Sequence, residues 1–184
     1  MTTRVHAVRA ASRGDVPALA ELHAASWRRT YRGVFRDAFL DGPVVEDRRR
    51  VWTDRMENPD ARQLVLVGTV EGAVQGLVCA YAEADVGWGV FIDNLHVAAP
   101  SQGTGLGSAL LRAAAEWACR QRPHLPPYLW VLAPNLAAQR FYEARGATRR
   151  EAVVRENPGG GTATYLRHVW TDPAQMAARC GERR

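Results

Sequence analysis

Residues 92–108 read Ile-Asp-Asn-Leu-His-Val-Ala-Ala-Pro-Ser-Gln-Gly-Thr-Gly-Leu-Gly-Ser. The apolar, β-branched run Val90 to Val97 signals a strand, closed by Ala98-Ala99-Pro100. The alanine- and leucine-rich run Ser108 to Arg120 signals a helix that stops before Pro123. Between them lie glycines at 103, 105 and 107. A loop in that place can aim several backbone N–H groups at one point, and the helix N-terminus adds partial positive charge, so phosphates bind there without any side-chain charge. A plain glycine turn would carry the same residues. Two familiar phosphate motifs do not fit: a dinucleotide fingerprint needs a third glycine where Ser108 stands, and a P-loop needs a lysine, which the chain lacks.

Working outward, Val5 to Arg9 alternates as a short strand and leads through Gly14-Asp15 into a helix, with Asp15 as its N-cap, Pro17 in its first turn and Leu19, Leu22, Ala25 and Trp27 at helical spacing. Trp27 to Pro43 reads as the end of that helix and the start of an irregular connection, and Val44 to Met56 as a second amphipathic helix ended by Asn58-Pro59. Gln63 to Val70 and Gly76 to Ala84 form a hairpin about Glu71-Gly72. After the glycine loop come a buried strand at Tyr128 to Leu132, a short helix from Leu136 to Arg145 capped by Gly146, and two strands, Thr148 to Arg155 and Ala163 to Trp170, flanking Gly159-Gly160-Gly161. The tail after Asp172 is expected to fray. The order β-α-α-β-β-β-α-β-α-β-β implies an α/β (α+β) fold, a mixed sheet with helices on both faces, in a single domain over 1–184.

Composition narrows the function classes. The hydrophobic share of 47% and charged share of 23% belong to an ordinary globular chain, which sets aside disorder and collagen-like repeats. No apolar run approaches the ~18 residues of a membrane span, and the first fifteen residues lack the apolar stretch of a secretory signal. Three widely spaced cysteines (Cys79, Cys119, Cys180) suggest neither a disulfide framework nor a zinc site, so the expected compartment is cytoplasmic and no metal is expected. All 24 basic residues are arginine, which removes Schiff-base and pyridoxal-phosphate chemistry. The net charge of +5 suits an anionic ligand or a nucleic acid, but the arginines are scattered and no nucleic-acid motif accompanies them, so neither nucleic acid nor membrane is an expected partner.

The stretch Gln102-x-x-Gly105-x-Gly107 after Ile92–Val97 resembles the coenzyme A pyrophosphate loop of the GNAT superfamily of N-acetyltransferases. A second hallmark follows at Asn135-Leu-Ala-Ala138-Gln-Arg-Phe141-Tyr142-Glu-Ala-Arg-Gly146-Ala147, where Ala147 replaces a common aromatic residue. Trp27, Tyr31, Gly33 and Leu40 match a pattern of the family's acceptor region, so the resemblance covers about residues 4–171. It implies a seven-stranded, mostly antiparallel sheet splayed between the fourth and fifth strands. It implies acetyl-CoA as co-substrate and transfer of the acetyl group to a primary amine by direct attack in a ternary complex. The alternative is a non-catalytic acetyl-CoA sensor.

Acetyl transfer from a thioester to an amine needs a group that takes the amine's proton, a donor for the carbonyl oxygen and an acid near the sulfur. By resemblance, Tyr142 is that acid, and Asp93 stands where many relatives carry an acidic base, placed two residues before Leu95 and on the same face by strand period. A water relay is the other candidate base. The resemblance gives the backbone of Leu95, His96 and Val97 to the pantetheine arm. It gives Gln102, Gly103, Thr104, Gly105, Leu106, Gly107 and Ser108 to the pyrophosphate, Asn135 to the arm or to positioning the base through water, and Ala138 to the cofactor; Asn135 equally suits the cap of the helix that starts at Leu136. By resemblance, the acceptor, a small-molecule or peptide amine, lies among the Trp27–Leu40 segment, the strand start near Trp88-Gly89 and the Asn157–Gly161 hairpin, with Trp27, Tyr31, Phe35 and Trp88 as aromatic walls and Arg28, Arg29 and Arg32 available to an anionic group. His6, His23, His124 and His168 have no motif around them. Relatives are often dimers, which leaves a homodimer through the last strand and Trp170 open.

Overall fold

The computed structural model describes residues 6–85 and 87–182. Seven strands form one sheet: β1 (His6–Ala10), β2 (Gln63–Val70), β3 (Ala73–Ala82), β4 (Val90–Val97), β5 (Tyr128–Leu132), β6 (Thr148–Glu156) and β7 (Thr162–Val169), in the order β1-β2-β3-β4-β5-β7-β6. Val5, where the first strand was expected to begin, lies outside the described residues. The helices are α1 (Val16–Thr30), α2 (Asp37–Asp41), α3 (Val44–Glu57), α4 (Leu106–Gln121), α5 (Leu136–Glu143) and α6 (Pro173–Gly181). Every neighbouring pair of strands runs antiparallel except β4 and β5, which are parallel and pair only at Phe91 with Tyr128.

Strand alternation divides the core. Val78 and Ala80 join Leu110, Leu111, Ala114, Ala115 and Ala118 of α4 on one face, while Leu77 and Cys79 join Leu19, Leu22 and Trp52 of α1 and α3 on the other. A third cluster ties Trp27, Phe35, Phe39 and Leu40 to Leu132, Ala163 and Tyr165 of β5 and β7. Small residues let α4 settle close to the sheet. A Cβ on Gly76 would stand 2.7 Å from Leu110 Cδ1 and 3.2 Å from Leu106 Cδ2, so glycine there fixes the height of the first turn of α4, from which the glycine loop hangs.

Three local expectations give way. The Trp27–Pro43 connection contains the short helix α2, which buries Phe39 and Leu40. Asp15 does not cap α1 with its side chain. It accepts from Ser12 N at 2.7 Å and Ser12 Oγ at 2.9 Å, and it pairs with Arg9, because it closes the preceding 3-10 turn Arg13–Asp15. The tail forms α6 rather than fraying: Asp172 accepts from Gln175 N at 2.8 Å, Pro173 occupies the first turn, and Met176 (0% exposed) and Cys180 (7%) enter the α4 core.

Candidate active site

The site begins where β4 and β5 part. Gly89 N donates to Pro126 O at 3.0 Å and Phe91 pairs with Tyr128, after which the two strands have no further ladder pairs among the described residues. Opposite, on β3, Cys79 pairs with Asn94 and Ala80 with Ile92, so Asp93 is an extra residue, a β-bulge. The bulge re-phases the strand. Val90 and Ile92 face the α4 core before it and Leu95 and Val97 face that core after it, while the His96 side chain turns toward α1. Asp93 and Leu95 therefore do not share a face, as unbroken alternation would have required. The Asp93 carboxylate is taken by Arg55 of α3, whose Nη2 donates to Oδ2 at 2.7 Å while Nη1 donates to Asn94 Oδ1 at 2.8 Å. Asn94 Nδ2 closes the clamp on Asp93 O at 2.9 Å, and the guanidinium lies 5.0 Å from the Trp52 ring.

His96 meets Ser26 Oγ through Nδ1 at 2.9 Å, and its ring centroid is 4.4 Å from that of His23. Burial and, after it, the charges of Arg29 and Arg48 push His96 down to about 3. Burial also holds His23 well below the usual histidine range, and Trp52 Nε1 donates to its Nδ1 at 3.2 Å, which leaves the proton of the neutral ring on Nε2. Both rings are neutral near pH 7.

The glycine loop leaves β4 through a 3-10 turn, Ala99–Ser101. Gln102 Nε2 donates back to Val97 O at 3.1 Å and Thr104 Oγ1 to Ser101 O at 2.7 Å, so both side chains hold the loop's shape. Gly103 (φ +76°) and Gly105 (φ +93°) adopt the left-handed conformation that side chains rarely take, and residues 102–105 are exposed. The first intrahelical bond of α4 is Ala109 N to Gly105 O, which leaves the N–H groups just before it pointing out of the helix end. Leu106 is fully buried beneath them. The loop is thus an exposed backbone rim on a rigid base, a surface that fits a pyrophosphate.

Helix α5 forms the other wall. Asn135 caps it, accepting from Ala138 N at 3.1 Å. Adjacent helical residues point about 100° apart, and Phe141 and Tyr142 divide accordingly, their rings at 81°. Phe141 turns toward the glycine loop, 3.4 Å from where a Cβ of Gly107 would stand. Tyr142, 8% exposed, packs edge-on to Trp170 at 6.0 Å. Burial first, then the Tyr31 phenol, drives its hydroxyl well above the usual tyrosine value against the pull of Arg145, so it stays protonated and able to donate. That hydroxyl makes no hydrogen bond with the described residues.

The expected acceptor residues separate into two groups. Trp27 and Tyr31 meet at 6.0 Å beside Phe35, but Trp27 is 7% exposed and roofed by Arg48 at 4.2 Å, so it backs the wall rather than facing the cleft. Burial raises Tyr31 to about 12. Asn157 reaches across from the β6–β7 hairpin, accepting from Tyr165 OH at 2.8 Å and donating to Val34 O at 3.3 Å, and so joins the hairpin to the α1–α2 connection. Trp88 stands apart, against Tyr128 at 5.4 Å and Arg167 at 4.3 Å. Arg28 donates through Nε to Leu40 O at 2.8 Å, a contact that leaves its charge available, whereas Arg32 is paired with Asp37 and Asp41 within the fold.

Sequence reasoning missed Arg55, Tyr165 and Arg145. Arg145 stacks on Phe141 at 3.7 Å and donates to Ser108 Oγ. Its spacing four residues after Phe141 was a readable helical signal, whereas Arg55 and Asp93 are 38 residues apart with nothing local to join them. Among the described residues no cluster of three or more His, Cys, Asp or Glu could hold a metal, and no helix is long and apolar enough to cross a membrane.

The sequence profile of the acetyltransferase (GNAT) family matches residues 18–147. A search of curated protein sequences finds no match. Similar solved structures include PaiA N-acetyltransferase from Thermoplasma acidophilum in complex with coenzyme A (18% identity, TM-score 0.66, covering 89% of this chain and 98% of that one). The yncA protein of Salmonella typhimurium with acetyl-CoA is alike to the same degree (19%, 0.65, 90% and 93%), as is ribosomal-protein-alanine N-acetyltransferase from Brucella melitensis (20%, 0.66, 90% and 99%). At these identities the structural likeness shows the fold, a seven-stranded mixed sheet opened at its parallel pair. The family match spans most of the chain and includes both the glycine loop and the Phe141-Tyr142 helix: the protein belongs to the GNAT family of acetyltransferases.

Proposed function

We propose that the protein is an acetyl-CoA-dependent N-acetyltransferase that moves the acetyl group to a primary amine by direct attack in a ternary complex. The observation that carries this reading is the divergence of β4 from β5 beside an exposed glycine rim, with the protonated Tyr142 on the adjoining helix. The N–H groups from Gly103 to Ser108 hold the pyrophosphate, with Gln102 and Thr104 shaping the loop. The edge of Leu95, His96 and Val97 binds the pantetheine arm as an added strand would, and its N–H groups donate to the developing oxyanion. Asn135 and Ala138 border the arm at the start of α5.

Tyr142 acts on the sulfur. A thiol ionises near 8.5, below an ordinary phenol and further below a buried one, so the hydroxyl stabilises the leaving thiolate chiefly as a hydrogen-bond donor. The proton that ends on sulfur is matched by the one the amine gives up. Asp93 is already committed to Arg55, and we assign the amine's proton to a water relay, with Asp93 shaping the bulge. Covalent relay through cysteine is disfavoured because burial raises both Cys79 and Cys180 to about 11 and none of the three cysteines lies in the motifs.

The acceptor lies between Tyr31, Tyr165 and the β6–β7 hairpin, with Trp27 behind it and Trp88 at the outer end of β4. With Arg32 paired to carboxylates, Arg28 and exposed Arg29 are the cations offered to it, which favours an amine carrying a carboxylate, such as an amino acid or peptide terminus, over a polyamine. Thiol release from acetyl-CoA across amino acids, peptides, polyamines and aminoglycosides tests the reading. A hit whose kcat falls about 100-fold in Tyr142→Phe, with stability within about 0.5 kcal/mol of wild type, supports it. Tight acetyl-CoA binding without turnover on any amine would favour a sensor instead.

A further inference from the structure

Ser108 is the third residue of α4, directly after the glycine rim, and its hydroxyl oxygen accepts two N–H groups from one side chain: Arg145 Nε at 3.0 Å and Arg145 Nη2 at 2.7 Å. A hydroxyl has two acceptor positions and one hydrogen. With both positions filled, Ser108 can act only as a donor, and among the described residues it donates to nothing. Arg145 is itself held in place: its Cζ lies 3.7 Å from the Phe141 ring centroid, Nη1 donates to Phe141 O at 2.8 Å, and its backbone carbonyl accepts from Trp170 Nε1 at 2.8 Å. Phe141 in turn abuts Gly107. A fixed positive charge and an obligate O–H donor therefore stand next to the free N–H groups of the rim.

We propose that Arg145 is a positioning residue for the pyrophosphate of coenzyme A: it turns the Ser108 hydroxyl into a donor toward a phosphate oxygen and places its charge behind that contact. The inference rests on the acetyl-CoA reading above and adds a residue at a variable position of the Phe-Tyr-x-x-x-Gly motif. The fork matters, because lysine offers neither the paired N–H groups nor the flat face that stacks on Phe141.

Calorimetric titration of coenzyme A and of 3′-dephospho-coenzyme A into wild type, Arg145→Ala, Arg145→Lys and Ser108→Ala tests this. The expected result is a roughly tenfold weaker Kd for both ligands in Arg145→Ala and Ser108→Ala, as loss of a charge-assisted contact gives. Arg145→Lys should recover only a small part, and the double variant should be no weaker than Arg145→Ala. Turnover of S-acetylpantetheine, which has no phosphate, should lose far less kcat/KM than turnover of acetyl-CoA in each variant, whereas a merely structural role would lower both alike. Unchanged Kd values, or equal losses with S-acetylpantetheine, overturn the proposal. Weakening confined to the ligand with the 3′-phosphate overturns the pyrophosphate assignment. Should Arg145→Ala fail to fold, Ser108→Ala decides alone by the same criteria. A wild-type chain that binds no coenzyme A would bring down the family-based reading together with this one; normal wild-type binding with unaffected variants brings down only this one.

Discussion

Replacing Asp93 by Asn separates the two jobs that residue could hold. The side chain keeps its shape and an oxygen for Arg55 but loses its charge. Asp93 and Arg55 are 23% and 21% exposed and 2.7 Å apart, between the surface pairs that contribute up to ~1 kcal/mol and the buried pairs whose rupture costs ~3–5. The substitution leaves one hydrogen bond and an uncompensated, half-buried guanidinium, so the expected loss is about 1–2 kcal/mol. Arg55→Ala strips donors from both Asp93 and Asn94 and uncovers Trp52, and should cost about 2–4 kcal/mol. Urea unfolding of the three proteins gives these numbers directly. Kinetics then discriminate. A positioned base contributes roughly 10²–10⁴ in rate, so if Asp93 took the amine's proton, Asp93→Asn would lower kcat by that factor and abolish the acid limb of the pH profile. With Asp93 as the bulge clamp, kcat should fall less than about tenfold, in step with the stability loss, and the pH profile should keep its form. A hundredfold loss of kcat at wild-type stability would refute the clamp and restore Asp93 as base.

Three further outcomes follow from the structure. Gly105→Ala must hold a side chain at φ +93°, which costs about 1–2 kcal/mol; the relief is a reshaped rim, so the KM for acetyl-CoA should rise several-fold with kcat nearly unchanged. His96 and His23 are neutral in the fold but take up protons near 6.5 once unfolded, so the unfolded chain binds more protons below that value and stability falls as pH falls through 6.5, by up to about 1.4 kcal/mol per pH unit for each ring, the His96 contribution continuing toward 3. Urea midpoints that stay flat from pH 7 to 5 would contradict the buried neutral pair. Met176→Ala, at a fully buried position of α6, should cost about 2–5 kcal/mol; a change below 0.5 kcal/mol by thermal or urea unfolding would mean the tail is not part of the core.

What the sequence disclosed is what short-range physics controls. The Glu71-Gly72 hairpin, the glycine loop, the Asn135 cap and the Gly146 stop each depend on a few neighbouring residues, and each stands where the residues imply. The tail was equally legible, since Asp172-Pro173 is an N-cap followed by a first-turn proline and Met176 and Cys180 recur at helical spacing. The contacts of Arg28 and Arg32 were not legible, because their partners belong to α2, a five-residue helix that forms only when Phe39 and Leu40 find the third core cluster. The identity of residues at a pocket says little about their freedom until their partners are known.

The bulge stands between these cases. Apolar residues recur at 90 and 92 and then at 95 and 97, a gap of three that period-two alternation cannot bridge, and the two polar residues in the gap are Asp93 and Asn94. The sequence thus records that the strand is re-phased, but the stabilising partner, Arg55, comes from α3. One added residue does three things together. It returns Leu95 and Val97 to the α4 core, so the strand end beneath the glycine loop is anchored. It turns His96 to the neutral pair under α1. It places a local bend in β4 just past the Phe91–Tyr128 pair, where the two strands part. A carboxylate at 93 suits this better than a free base would: a base must exchange protons with solvent or substrate, whereas a bulge clamp must hold one geometry, and a side chain locked at 2.7 Å to a guanidinium is built for the second task.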